Sequence, residues 1–125
     1  MGFEVTSCEA DRYIRITAWE PFVEEEAMQA AREALALGAR LGVRVFLYDA
    51  RQSPNMKSIL TNYRVAYHEL RALDIDPGAS AAILVSPDDH SYDVVETLCR
   101  NAGYNIRLFR KEGAAVFWIK ERGPK

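Results

Sequence analysis

Long hydrophobic runs are missing from this chain. No stretch approaches the roughly 20 apolar residues that a bilayer crossing needs, so no membrane span is expected. An excess of basic charge is missing too: 16 Lys and Arg stand against 18 Asp and Glu, a net charge of -2. Nucleic acid is therefore not an expected partner, because the cations are interleaved with carboxylates and build no field for a phosphate backbone. Cysteine is scarce, with Cys8 and Cys99 far apart and without metal-type spacing. Reduced thiols, no disulfide framework, no metal site and no cofactor are the expectations. The start MGFEVTSCEADR lacks the basic-then-apolar order of a secretory signal, which points to a cytoplasmic location.

What is present fits one globular domain over residues 1–125, with 49% hydrophobic and 27% charged residues. Phe3, Val5 and Ser7 alternate with polar neighbours, and alternation resumes at Tyr13, Ile14, Ile16 and Ala18 after a Glu9-Ala10-Asp11 turn. That pattern predicts an opening hairpin. Glu20-Pro21 breaks it, and a helix is expected from about Phe22 to Leu41. Glu24, Glu25 and Glu26 suit its positive end, and its inward stripe would be Val23, Ala27, Ala30, Ala31, Ala34, Leu37 and Leu41. Gly42 would cap it, and Gly38 would loosen its last turn.

Val43, Val45, Phe46, Leu47 and Tyr48 then form a run apolar on both faces, as a central covered strand should. From Asn55 onward Ile59, Leu60, Tyr63, Ala66, Tyr67, Leu70 and Leu73 recur at helical spacing until Asp76-Pro77-Gly78. Residues 81–85 form another buried strand. Ser86 as N-cap and Pro87 at the first helical position would open a helix whose inward residues are Val94, Val95, Leu98, Cys99 and Ala102. Tyr104, Ile106 and Leu108 predict a last strand at or near a sheet edge. Residues 114–119 predict a short apolar closing helix. The fold class is α/β, with a mixed, largely parallel five-stranded sheet and about four helices.

Several phrases in this order carry a resemblance: Tyr48-Asp49-Ala50-Arg51 at a strand end, ILVSPDD at residues 83–89, NAGYNIRLF at residues 101–109, and Ala115 with Trp118-Ile119. Together they resemble the SpoIIAA-like branch of the STAS superfamily, small modules related to anti-sigma factor antagonists. The resemblance covers nearly the whole chain and implies a non-enzymatic regulatory module that binds a protein partner or a small ligand. It also implies a phosphorylatable serine at the start of the helix after the central strand. Ser58 falls in that register, with Lys57, Ile59 and Leu60 in place of the acid, second serine and glycine of the antagonist pattern.

In an open α/β sheet, ligands and partners gather outside the carboxyl ends of the strands, which points to residues 49–58. Asp49, Arg51, Ser53, Asn55, Lys57 and Ser58 would there form a partner- or anion-binding junction, two cations flanking exposed amides at a helix start. The bland reading makes Ser53 or Asn55 a helix cap and leaves Arg51 and Lys57 solvated or paired with Asp49. Asp88, Asp89, His90 and Asp93 form an acidic cluster that reads better as helix-start charge than as a metal site. Tyr63 and Tyr67 could line a ligand pocket beneath the 56–73 helix, for a lipid-like or anionic molecule. With Phe117, Trp118 and Trp19 they also offer area for a homodimer. A hydrolase or transferase using Asp49, Ser58 and His68 is a third class. The leading expectation is a protein-docking module without enzymatic activity.

Overall fold

The computed structural model describes residues 2–8, 10 and 12–122, together with the backbone but not the side chain of Ile59. Five strands line up in sequence order: β1 (Phe3–Cys8), β2 (Tyr13–Ala18), β3 (Val45–Asp49), β4 (Ser80–Leu84) and β5 (Asn105–Phe109). The first pair is antiparallel and the other three pairs are parallel. This is the mixed, largely parallel sheet that the pattern predicts, with β5 at an edge. Glu9 and Asp11 of the expected hairpin turn lie outside the described residues.

Strand alternation divides the core into two faces. Phe46, Tyr48, Ala81, Ile83, Ile106 and Leu108 point one way, and helices α1 (Glu24–Leu41) and α3 (Asp93–Asn101) pack there. Leu47, Ala82 and Leu84 point the other way, beneath Ala115, Trp118 and Ile119 of α4 (Glu112–Arg122). No helix among the described residues is long and apolar enough to cross a membrane.

Three helical expectations need correction. Helix α1 begins at Glu24, and its buried residues are Met28, Ala30, Ala34 and Gly38, whereas Val23 and Leu41 are exposed. Val23 precedes the first turn, its N–H donating to Glu26 Oε1, so it never joins the inward stripe. Phe22 leaves the helix altogether and enters an aromatic cluster with Phe3 and Tyr48. Gly42 caps the helix in the left-handed region, as expected.

The central helix is not one α-helix. It consists of α2 (Ile59–Arg64), a π turn over Val65–Glu69 and a 3-10 turn over Arg71–Leu73. Among its described side chains Asn62 and Ala66, four apart, are buried, while Leu60 and Tyr63 face solvent. Asn62 is drawn inward by polar partners, and that rotates the apolar residues beside it outward. Helix α3 begins at Asp93 and not after Ser86, because the Ser86 hydroxyl donates to the Arg51 carbonyl and residues 86–92 form turns.

Gly38 does more than loosen a turn. A Cβ there would stand 2.7 Å from the Val43 carbonyl oxygen and 3.1 Å from the Phe46 ring. The glycine thus lets α1 approach β3 at the point where the chain re-enters the sheet. Gly38→Ala should destabilise the fold by about 1–3 kcal/mol in urea unfolding, despite the better helix propensity of alanine. Unchanged stability would show that the contact yields easily.

Candidate functional site

The carboxyl ends of the parallel strands carry the connection between β3 and α2 and the turns before α3. Asp49, the last residue of β3, is buried. Its Oδ2 accepts from Arg15 Nη2 and Arg51 Nη2, both at 2.7 Å. Its Oδ1 accepts from Arg51 Nε at 2.9 Å and from the Arg51 backbone N–H at 3.2 Å. Glu112, in the first turn of α4, adds a contact to Arg51 Nη2 at 2.9 Å and to Arg15 Nη2 at 3.5 Å. Two arginines and two carboxylates therefore balance locally.

Burial alone would raise the Asp49 pKa, but the hydrogen bonds from Arg51 and the charges of Arg51 and Arg15 outweigh it and hold the carboxyl below its ordinary value.

Beyond Arg51 the chain is pinned from within. The Tyr92 hydroxyl donates to the Ser53 carbonyl at 2.7 Å and lies 2.8 Å from the Tyr48 hydroxyl. Burial first of all pushes both phenols above their usual pKa, so both stay protonated as hydrogen-bonding groups. Ser53 is fully buried. Asn55 is buried as well: its N–H donates to Ser91 Oγ at 2.8 Å, and its Nδ2 donates to the Ser91 carbonyl at 2.9 Å and to Asn62 Oδ1 at 3.2 Å. Asn55 Oδ1 accepts from the Lys57 N–H at 3.2 Å. Ser58, not Ser53 or Asn55, is the N-cap, accepting from Thr61 N–H at 3.2 Å.

The structure thus brings Asp49 and Arg51 together and buries Ser53 and Asn55. Of the six, Arg51 and Ser58 are exposed, Ser58 at the helix start. The two cations part company. Arg51 turns to Asp49 and Glu112, while half-buried Lys57, its pKa lowered by that burial, feels Glu24 of α1. The amides of residues 51, 53, 55, 57, 61 and 62 are all taken by internal acceptors. The six side chains thus divide among an ionic cluster, a buried network and the cap of α2.

The remaining candidates also find internal roles. Asp89 accepts from the Ser91 N–H and hydroxyl, and Asp93 meets His90 and Arg110. Among the described residues no group of three or more ligating side chains could hold a metal ion. Asp49 and Ser58 are engaged by Arg15, Arg51 and Thr61, and no hydrogen bond joins either to His68. Cys99 is buried on the inward face of α3, and burial pushes its thiol pKa up to about 11.

Tyr63 and Tyr67 stack with centroids 4.6 Å apart, but Tyr63 is half exposed and neither ring lines the apolar cleft found near this segment. That cleft, about 310 Å³, lies over the amino-terminal halves of the strands between α1 and residues 70–77. What the sequence pattern missed is an apolar surface. Met56, Leu60 and Tyr63 are 74%, 81% and 49% exposed, beside Ser58. The signal was present in their 4- and 3-residue spacing, but the same spacing describes a core stripe. Neither the models of known protein families nor the curated proteins match this chain.

The Asp49 clamp has a calculable pH signature. A carboxyl whose folded pKa lies below its unfolded value stabilises the fold above that unfolded value, and the gain is lost as pH falls through the folded pKa. Asp49→Asn should cost about 1–3 kcal/mol near neutrality. In urea unfolding its deficit should shrink as pH drops below about 4. A deficit independent of pH would exclude the ionic origin.

Proposed function

We propose that the protein is a STAS-like, SpoIIAA-like binding or regulatory module of the cytoplasm that docks a protein partner without catalysing a reaction. The observation that carries this reading is the exposure of Met56, Leu60 and Tyr63 on a rigidly held connection. Loops usually expose polar residues, whereas here Ser53, Asn55 and Asn62 turn inward while Met56, Leu60 and Tyr63 turn outward. Methionine and aromatic side chains on a preorganised surface are what a partner can cover at low entropic cost. The residues of the 49–58 junction then serve mainly as scaffold. A second copy of this chain is one partner such a surface could take.

Ser58 lies at the rim of this patch with its hydroxyl accessible, which supports its reading as a phosphosite. Ser58→Glu is expected to change partner affinity beyond the effect of Ser58→Ala, which removes the same helix cap at a cost of about 1 kcal/mol without adding charge. Equal affinity in both forms would reject a serine switch.

A second reading, carriage of a small ligand, is favoured by the 310 Å³ cleft, which lies between α1 and residues 70–77 and not beneath Tyr63 and Tyr67, and whose size meets the lower bound of about 300 Å³ for small-molecule sites.

Docking is tested by placing a photo-crosslinking residue at position 60 and, as a control, at exposed Thr97 on α3. Partner capture should occur from position 60 and not from 97, and sedimentation will separate self-association from a different partner. Leu60→Glu should weaken the captured complex at least tenfold, about 1.4 kcal/mol, while changing stability by no more than about 0.5 kcal/mol. Undiminished binding by Leu60→Glu would overturn the assignment.

A further inference from the structure

We infer that the cleft between α1 and residues 70–77 is a preformed site for a small, uncharged, mainly apolar molecule, and that it discriminates against anions. The inference rests on the second reading above and names its ligand class. Ile16, Phe46, Ala81 and Ile106, one from each of β2 to β5, make the floor, and Ala31 and Ala34 of α1 make the wall. Leu70 and Ile75 close the far side. Alanines on both floor and wall are too short to meet across the gap, which is why the space stays open.

The far side does not collapse onto the sheet, because its own backbone holds it. The π turn carries Leu70, whose N–H donates to the Val65 carbonyl at 2.9 Å. Asp74 takes a left-handed conformation, φ 52°, and turns the chain out of the helix. Asp76 then accepts from the Gly78 N–H at 2.7 Å through its carboxylate and from the Ala79 N–H at 2.9 Å through its carbonyl. The Ser80 N–H donates to the Arg44 carbonyl at 2.9 Å and anchors the segment to the strand register. These bonds fix residues 70–80 without any side chain filling the cleft.

Charge sets the selectivity. Of the residues lining the cleft, only Asp76 is ionisable as a carboxylate, and no cation lines it. An anionic ligand would surrender its hydration for apolar walls and find no cation among the lining residues, whereas a neutral one loses little. Arg44 lines a neighbouring hollow, which shares Ile75, Asp76 and Ala79 with the cleft, and its guanidinium is paired with Asp76 at 3.4 Å. At about 310 Å³ the site suits a ligand at the small end of the usual range.

The test titrates the full chain with N-phenyl-1-naphthylamine, a neutral probe whose fluorescence rises in apolar surroundings. Displacement by 1-decanol is then compared with displacement by decanoate well above its carboxyl pKa. The probe should bind, and decanol should displace it at least tenfold more effectively than decanoate. Ala31→Leu and Ala81→Leu, each filling the cleft from a different side, should each weaken the probe at least tenfold while keeping a cooperative melt. Either one suffices if the other fails to fold. No probe binding by the native chain would overturn the carrier reading itself. Equal competition by decanoate would leave carriage standing and overturn the selectivity proposed here. Full binding in a folded cleft-filled variant would overturn the location, and a dimer dissociated by the probe would give the cleft to a second copy.

Discussion

The hydrogen bond from the Tyr92 hydroxyl to the Ser53 carbonyl, relayed to Tyr48, is the constraint on which this end of the molecule depends. It joins three pieces of chain: the central strand, the connection that follows it, and the turn before α3. A buried carbonyl at Ser53 with no donor would cost about 1–3 kcal/mol, so the connection cannot leave the protein interior without losing that bond. Asn55 extends the same logic by bonding to Ser91 on one side and Asn62 on the other. Once Asn62 is held inward, the phase of α2 is set, and Leu60 and Tyr63 have no choice but to face solvent.

That phase accompanies a stretch rich in Ser, Asn, Arg and Lys whose side chains are largely turned toward one another. Its polar groups bond to one another, and its one strong ionic cluster, Arg15, Asp49, Arg51 and Glu112, is closed on itself. A partially buried carboxylate between two guanidiniums gains little net stability over an apolar substitute, but removal of one member strands the others. The cluster therefore acts as a latch between β2, β3 and α4. Specific positioning is a better account of it than raw stability.

Most of the fold was legible in the chain. Alternation located β1, β2 and β5, continuous apolar runs located β3 and β4, Gly42 marked the end of α1, and the apolar residues 114–119 marked α4, because each depends on neighbours within a few positions. The errors share a cause. Ser86-Pro87 has the composition of a helix start, yet its hydroxyl is spent on a carbonyl 35 residues away. Asn55 and Asn62 look like surface residues until the third partner, Ser91, arrives from another loop. The pairing of Arg15 with Asp49 spans 34 positions and leaves no local trace. Periodicity counts apolar residues, and it cannot know that a polar network elsewhere will rotate a helix against its own hydrophobic stripe.

The same rotation separates the two surfaces that carry function in this reading. The carboxyl end of the sheet carries polar groups bonded largely to one another and shows Met56, Leu60 and Tyr63 outward, which suits a large partner that brings its own complementary surface. Near the amino-terminal halves of the strands the situation reverses: small side chains leave an apolar gap inward, under backbone that is hydrogen-bonded in place. One helical segment borders both regions, through Leu60 and Tyr63 at its start and Leu70 at its end. The π turn between them changes the helical phase by one residue, so side chains on the two sides of it are not bound to a single face. A regular α-helix through residues 59–73 would bring Leu70 back four residues after Ala66, aligned with Asn62. The outer patch and the border on the inner cleft follow from two faces of one segment, Leu60 and Tyr63 lying off the inward face of Asn62 and Ala66.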